Sequence, residues 1–145
     1  MKILLVEDNR GDALLFSRAM RRAQAQVEIV RSESAEQALV ILRTVDPAPI
    51  NLIVLDINLP GISGTQLLEI IKADRKLRRI PAVILSSSSA PEDIDACYDR
   101  FANGYLTKPI ESGGYEAMAR CFYSCWLRLM ELPNPLGSEK VLRLS

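Results

Sequence analysis

Residues 51–61 read Asn-Leu-Ile-Val-Leu-Asp-Ile-Asn-Leu-Pro-Gly. Leu52 to Leu55 is an unbroken apolar run, and it stops abruptly at Asp56. A strand with one face in water would alternate apolar and polar residues. A continuous short run bounded by turn residues predicts a strand buried on both faces, as in a parallel sheet. The same signature recurs on either side. Lys2 to Val6 carries Ile-Leu-Leu-Val and ends in Glu7-Asp8-Asn9, and Ala82 to Leu85 ends in the serines Ser86 to Ser89. Val27 to Val30 and Gly104 to Leu106 are weaker strand candidates.

Segments of helical period lie between these runs. Leu14, Leu15, Arg18, Ala19 and Arg22 follow the first strand. Ser34 is placed to cap a second helix carrying Ala35, Ala38, Leu39 and Leu42, with Gln37 at the reciprocal position of a capping box. Leu67, Leu68, Ile70 and Ile71 mark a third helix. Pro91-Glu92-Asp93 suits the first turn of a fourth, running to about Arg100, and Tyr115 to Met130 is the fifth. Five alternations of strand and helix predict a doubly wound α/β domain, with a five-stranded parallel sheet covered on both faces. One domain is expected over 1–133. At 134–145 the composition shifts to Asn-Pro-Leu-Gly-Ser, which reads as a C-terminal tail. No repeat and no second, DNA-binding domain is visible.

The chain of 145 residues is 48% apolar and 25% charged, a balance that suits a folded globular domain. Its 18 basic and 18 acidic side chains cancel, so the overall charge points to neither nucleic acid nor an anionic membrane. No apolar run approaches the roughly 20 residues that span a bilayer. Met1 to Asp8 lacks a signal-peptide pattern, so a cytoplasmic location is the expectation. Cys97, Cys121 and Cys125 have no metal-ligand spacing and read as reduced thiols. There is no histidine. That excludes a histidine phosphodonor, a histidine general base and an imidazole metal site.

The chemistry therefore falls to other groups, and their placement is informative. In an open α/β sheet the binding crevice lies beyond the carboxyl ends of the strands. The first strand ends in Glu7 and Asp8, the third in Asp56, the fourth in Ser86 and Ser87, and the fifth is followed by Lys108-Pro109. Clustered carboxylates repel one another unless a cation joins them. An all-oxygen set selects a hard divalent ion, here Mg²⁺. An ionised Asp56 beside such an ion keeps an oxygen free as a nucleophile, and carboxylates do form covalent phosphoryl intermediates. Lys108 and the Ser86 hydroxyl can neutralise the transferring group. Each element alone is common turn chemistry; their joint placement at successive strand ends is specific.

Val6-Glu7-Asp8-Asn9, Leu55 to Gly61, Leu85-Ser86-Ser87 and Tyr105-Leu106-Thr107-Lys108-Pro109 resemble the signature blocks of response-regulator receiver domains of two-component systems. The resemblance covers Met1 to about Pro133 and implies a flavodoxin-like receiver fold with strand order 2-1-3-4-5. It implies Asp56 as phosphoacceptor, with Glu7, Asp8, Asp56 and the backbone carbonyl of Asn58 holding the metal. By the same resemblance Ser86 is the switch hydroxyl, Tyr105 the switch aromatic and Lys108 the phosphoryl-binding lysine. Ser88, two positions after Ser86, falls where the family tunes dephosphorylation. Glu7-Asp8-Asn9 with Gly11-Asp12, and Phe122 to Leu127 with Leu132-Pro133, are similar to the phytochrome-associated branch. Those stand-alone regulators serve red-light-sensing histidine kinases, so a sensor histidine kinase, here a phytochrome, is the implied partner.

Other residues have plainer readings. Gly61 and Gly64 serve backbone flexibility in the loop after the third strand. Ser87 to Ser89 satisfy loop backbone groups. Asp12 reads as a helix first-turn charge. On the fifth helix, Tyr115, Met118, Phe122, Cys125 or Trp126, and Leu129 form the stripe that covers the sheet. Tyr123, Leu127 and Met130 form a second stripe, and with Trp126 they are the expected surface of a homodimer. The rival from another class is a Mg²⁺-dependent phosphohydrolase with an aspartyl-phosphate intermediate. Such enzymes place a second Asp two positions after the nucleophile, where this chain has Asn58, which cannot act as an acid.

Overall fold

A computed structural model describes residues 1–23, 26–44, 50–129 and 131–133. The elements run β1 (Lys2–Val6), α1 (Arg10–Ala23), β2 (Glu28–Ser32), α2 (Ala35–Arg43), β3 (Leu52–Leu55), α3 (Gly64–Ala73), β4 (Ala82–Ser86), α4 (Pro91–Asp99), β5 (Gly104–Thr107) and α5 (Ser112–Phe122). A π-helical turn, Tyr123–Leu129, continues α5. All strand pairings are parallel, in the order β2-β1-β3-β4-β5. The tail at 134–145 lies outside the described residues.

The continuous apolar runs have the expected cause. Alternate residues of the central strands feed opposite faces, and helices bury both. Leu4, Val6, Ile53, Leu55 and Ile84 pack with Ala38 and Leu39 of α2, Leu67, Leu68 and Ile71 of α3, and Cys97 of α4. Ile3, Leu5, Leu52, Val54, Val83 and Leu85 pack with Phe16 and Met20 of α1 and with Tyr115, Ala119 and Phe122 of α5. The strands whose sequence signal was weak, β2 and β5, are the sheet edges and are only partly buried.

Two local expectations need correction. Ser34 does cap α2, accepting from the Gln37 N–H at 3.1 Å. The Gln37 side chain, however, accepts from the Glu33 N–H at 2.9 Å rather than from Ser34. The full reciprocal box is at α3, where Ser63 and Gln66 satisfy each other's backbone N–H. The fifth helix starts at Ser112, earlier than expected, and keeps α-helical hydrogen bonding only to Phe122. A π turn closes its bonds one residue later and so shifts the apolar phase. Trp126 takes the sheet-covering position: it stacks on Phe122 with ring centroids 6.4 Å apart, and Cys125 is exposed. Trp126 also reaches β5, where a Cβ on Gly104 would sit 3.4 Å from its ring. Met130 and the side chain of Leu127 lie outside the described residues.

Candidate functional site: an acidic cluster at the strand ends

The carboxyl ends of β1, β3, β4 and β5 converge on one edge. Glu7, Asp56 and Ser86 are buried there, which is costly for polar groups unless they are partnered. Their partners are visible. The Lys108 ammonium is 2.5 Å from Glu7 Oε1, 2.9 Å from Asp12 Oδ2 and 3.0 Å from Asp56 Oδ2. The backbone holds Lys108 in place, its N–H donating to the Ser86 carbonyl at 2.7 Å. Asn58 donates its N–H to Asp56 Oδ1 at 3.2 Å, and Asn9 donates to Glu7 Oε2 at 3.3 Å.

Glu7, Asp8 and Asp56 each present a carboxylate oxygen within 4.8 Å of the others. Hard oxygen donors at that separation fit a divalent cation such as Mg²⁺ with waters completing its shell. The electrostatics agree. Burial lifts the Glu7 carboxyl to about 7, and the Asp56 charge adds to the lift despite the Lys108 bond. Burial also works against the Lys108 charge, but its bonds to Glu7, Asp12 and Asp56 outweigh that and raise its pKa above the ordinary lysine value. Glu7, Asp8, Asp12 and Asp56 bring more carboxylate charge than the Lys108 ammonium alone balances, so the cluster could take up an additional cation.

The sequence-predicted residues come together in part. Glu7, Asp8, Asp56 and Lys108 form one cluster. Asn58 adjoins it through its backbone, with its side chain exposed. The Ser86 hydroxyl accepts from the Ser88 N–H at 3.2 Å. Tyr105 donates its phenol to the Ser88 carbonyl at 2.7 Å.

Three features escaped the sequence reading. Asp12 sits on Lys108 although 96 residues separate them, so no spacing rule reveals the contact. Arg31 of β2 donates to the Glu7 and Asp8 carbonyls at 3.1 Å each, and so fixes the β1–α1 loop from the neighbouring strand. Ser88 also anchors α4, its hydroxyl donating to Asp93 at 2.5 Å and accepting from the Ala90 N–H at 3.3 Å. The Pro91-Glu92-Asp93 start was readable, but not its bond to Ser88.

A family model described as the response regulator receiver domain matches residues 3–120. This chain belongs to the response-regulator receiver family. It is 34% identical over 136 residues to the response regulator Rcp1 of Synechocystis sp., covering 90% of this chain and 92% of that protein. The crystal structure of the Mn²⁺-bound form of Rcp1 superposes with a TM-score of 0.83 at 32% identity, covering 92% of this receiver and 99% of that chain. The phosphorylated cyanobacterial phytochrome response regulator RcpA gives a TM-score of 0.86 at 34% identity, over 92% and 98% of the two chains. The receiver thus has the flavodoxin-like fold, and phytochrome response regulators are among its relatives. Among the described residues, no helix is long and apolar enough to cross a membrane.

Proposed function

We propose that this receiver domain, spanning 1–133, acts as a response regulator that accepts a phosphoryl group on Asp56 from a sensor histidine kinase. It signals by phosphorylation-dependent partner binding. The observation that carries the reading is the Lys108 ammonium 3.0 Å from the Asp56 carboxylate, inside a cluster of acids fit for a divalent cation. In the transfer, an Asp56 oxygen attacks phosphorus, the bond from phosphorus to the donor nitrogen breaks, and the donor imidazole leaves as a neutral group once protonated. Asp56 supplies the oxygen and the Asn58 N–H holds that carboxylate in place. Lys108 and the Ser86 hydroxyl meet the charge on the phosphoryl oxygens. Glu7, Asp8, Asp56 and the Asn58 carbonyl hold Mg²⁺, which when bound neutralises charge on the phosphoryl group.

Ser86 and Tyr105 form the switch that reports the modification. The resemblance of this receiver to phytochrome response regulators supports a phytochrome kinase as donor and a cytoplasmic location. A homodimer through the surface around Tyr123, Trp126, Leu127 and Met130 belongs to the same reading. The activity is that of a signalling module rather than an enzyme. With a small phosphodonor and Mg²⁺ the wild type becomes labelled as an acid-stable, hydroxylamine-labile acyl phosphate, and Asp56→Asn does not. Equal labelling of Asp56→Asn would overturn the assignment.

A further inference from the structure

We infer that Asp12 is a positioning residue of the phosphoryl site, the anchor that keeps Lys108 aimed across Asp56 once its other carboxylate partners are engaged elsewhere. This rests on the reading of Asp56 as phosphoacceptor. An ammonium has three N–H donors. Here each faces a different carboxylate: Glu7, Asp12 and Asp56. Any contact from Lys108 to a phosphoryl oxygen must therefore replace one of these.

The three acids are not equivalent. Glu7 and Asp56 belong to the set whose oxygens lie within 4.8 Å of one another, together with Asp8. A divalent cation in that set draws on both, and a phosphoryl group occupies an oxygen of Asp56. Asp12 stands outside that set and stays available to the lysine. It also stands on firm backbone. It lies in the first turn of α1, a helix of 14 residues seated on the sheet by Ala13 and Phe16. Its N–H donates to Asn9 Oδ1 at 2.9 Å, which caps that turn. Lys108, by contrast, follows the edge strand β5 and carries its charge on a long flexible stem.

Asp12 could instead compete with the phosphoryl group for the ammonium, so that its removal would speed transfer. The geometry argues for anchoring. Glu7 makes the shorter contact, at 2.5 Å against 2.9 Å. The Asp12 side chain is also the most exposed of the three, at 33% against 4% for Glu7 and 7% for Asp56. Water reaches the part-exposed Asp12 carboxylate, so it pulls on the charge less than the buried Glu7 does, while its geometric restraint remains.

The test measures the rate of Asp56 labelling by acetyl phosphate at saturating Mg²⁺, with Mg²⁺ affinity measured alongside. Asp12→Ala should slow labelling roughly tenfold, less than the roughly hundredfold that a misplacement of about 1 Å can cost because Lys108 keeps its other partners, and leave Mg²⁺ affinity within about twofold. Asp12→Asn keeps an acceptor oxygen and should recover most of the rate. Adding Asp12→Ala to Lys108→Ala should change nothing further, because Asp12 works only through the lysine. Labelling of Asp12→Ala at or above the wild-type rate overturns the inference, as does slowing that persists in the Lys108→Ala background. A normal Mg²⁺ affinity shows that Asp12→Ala is folded, and Asp12→Asn supplies the comparison if it is not. Labelling of Asp56→Asn would instead refute the acceptor reading itself.

Discussion

Tyr105 is hydrogen-bonded to Ser88, its phenol donating to the Ser88 carbonyl at 2.7 Å, while the Ser88 N–H donates to Ser86 Oγ at 3.2 Å. A single residue therefore links the fully buried Ser86 hydroxyl to a half-buried aromatic side chain. If the Ser86 side chain rotates and carries Oγ to a phosphoryl group on Asp56, the Ser88 N–H loses its acceptor. Ser88 must then rearrange, and the carbonyl that holds Tyr105 moves with it. Because Ser88 also holds Asp93, the start of α4 shares the disturbance.

Ser86→Ala is accordingly expected to be labelled on Asp56 yet to lose the response of Tyr105. Solution NMR of the wild type should show phosphorylation-dependent shifts around Tyr105 and the first turn of α4. Shifts of the same size in phosphorylated Ser86→Ala would refute the coupling.

The second prediction concerns pH. The Glu7 carboxyl is raised to about 7, so below that pH it holds a proton in the metal-free protein. A metal ligand must give up its proton, so Mg²⁺ binding competes with that proton and releases it. Affinity for Mg²⁺ should be flat above about 7 and fall by about tenfold per pH unit below it, one proton being displaced per ion. Titrations at several pH values check this. In Glu7→Gln affinity should be weaker at high pH and much less dependent on pH between 5 and 8. A wild-type affinity that does not change across that range would sink the prediction.

The third concerns Gly64, at the start of α3. A Cβ there would lie 2.1 Å from the Asp56 carbonyl oxygen and 2.4 Å from the Ile57 Cα. Those are backbone atoms, and they cannot step aside. The Gly64 N–H also donates to the Ile57 carbonyl at 3.0 Å, so α3 is docked against the end of β3. Gly64→Ala should cost about 3 kcal/mol or more, lowering Tm by roughly 10 °C in thermal denaturation. Gly61 is different, with φ at 69° and the nearest side-chain atom 3.1 Å from an added Cβ. Gly61→Asn should be tolerated better, since Asn accepts the left-handed region. Equal stability of Gly64→Ala and wild type would contradict the close approach.

The two glycines show where a sequence reading succeeds and where it stops. Flexibility is the right explanation for Gly61, but Gly64 is needed for lack of volume, which only the packing of α3 on Asp56 reveals. The same division holds elsewhere. Strands β1, β3 and β4 were legible because both faces are buried, so their apolar runs are unbroken. Edge strands β2 and β5 gave little signal because partial exposure permits Arg31 in one and Tyr105 and Thr107 in the other. Acids at strand ends were legible because topology alone brings those ends together. Asp12 was not, since its role arises from the seating of α1 beside a lysine on another loop. The Ser63–Gln66 box carried a readable signal, serine followed three residues later by glutamine, that went unused.

The final prediction is a homodimer whose surface includes the edge of the sheet. Burying a large apolar side chain contributes roughly 1.5–3 kcal/mol, while association costs several kcal/mol in rigid-body freedom, so several such residues must share one surface. Trp126 stacks on Phe122 and leaves only part of its ring for a partner. Tyr123 is likewise half-buried. Larger exposed groups flank β5: Tyr98 and Phe101 before it and Ile110 after it. Phe101 is informative, since it is 73% exposed and held at a φ of 67°. That conformation costs a bulky residue about 1 kcal/mol or more, and so exposed a side chain returns little to folding. Cover by a partner surface would supply the missing gain, and two-fold pairing is the commonest form of self-association. Analytical ultracentrifugation at micromolar concentration should find a dimer, weakened by Leu127→Asp. Phe101→Asn should weaken it too while leaving thermal stability unchanged or higher, because Asn tolerates this backbone. A monomer at every concentration would reject the dimer, and dimerisation untouched by both substitutions would place the interface on another face.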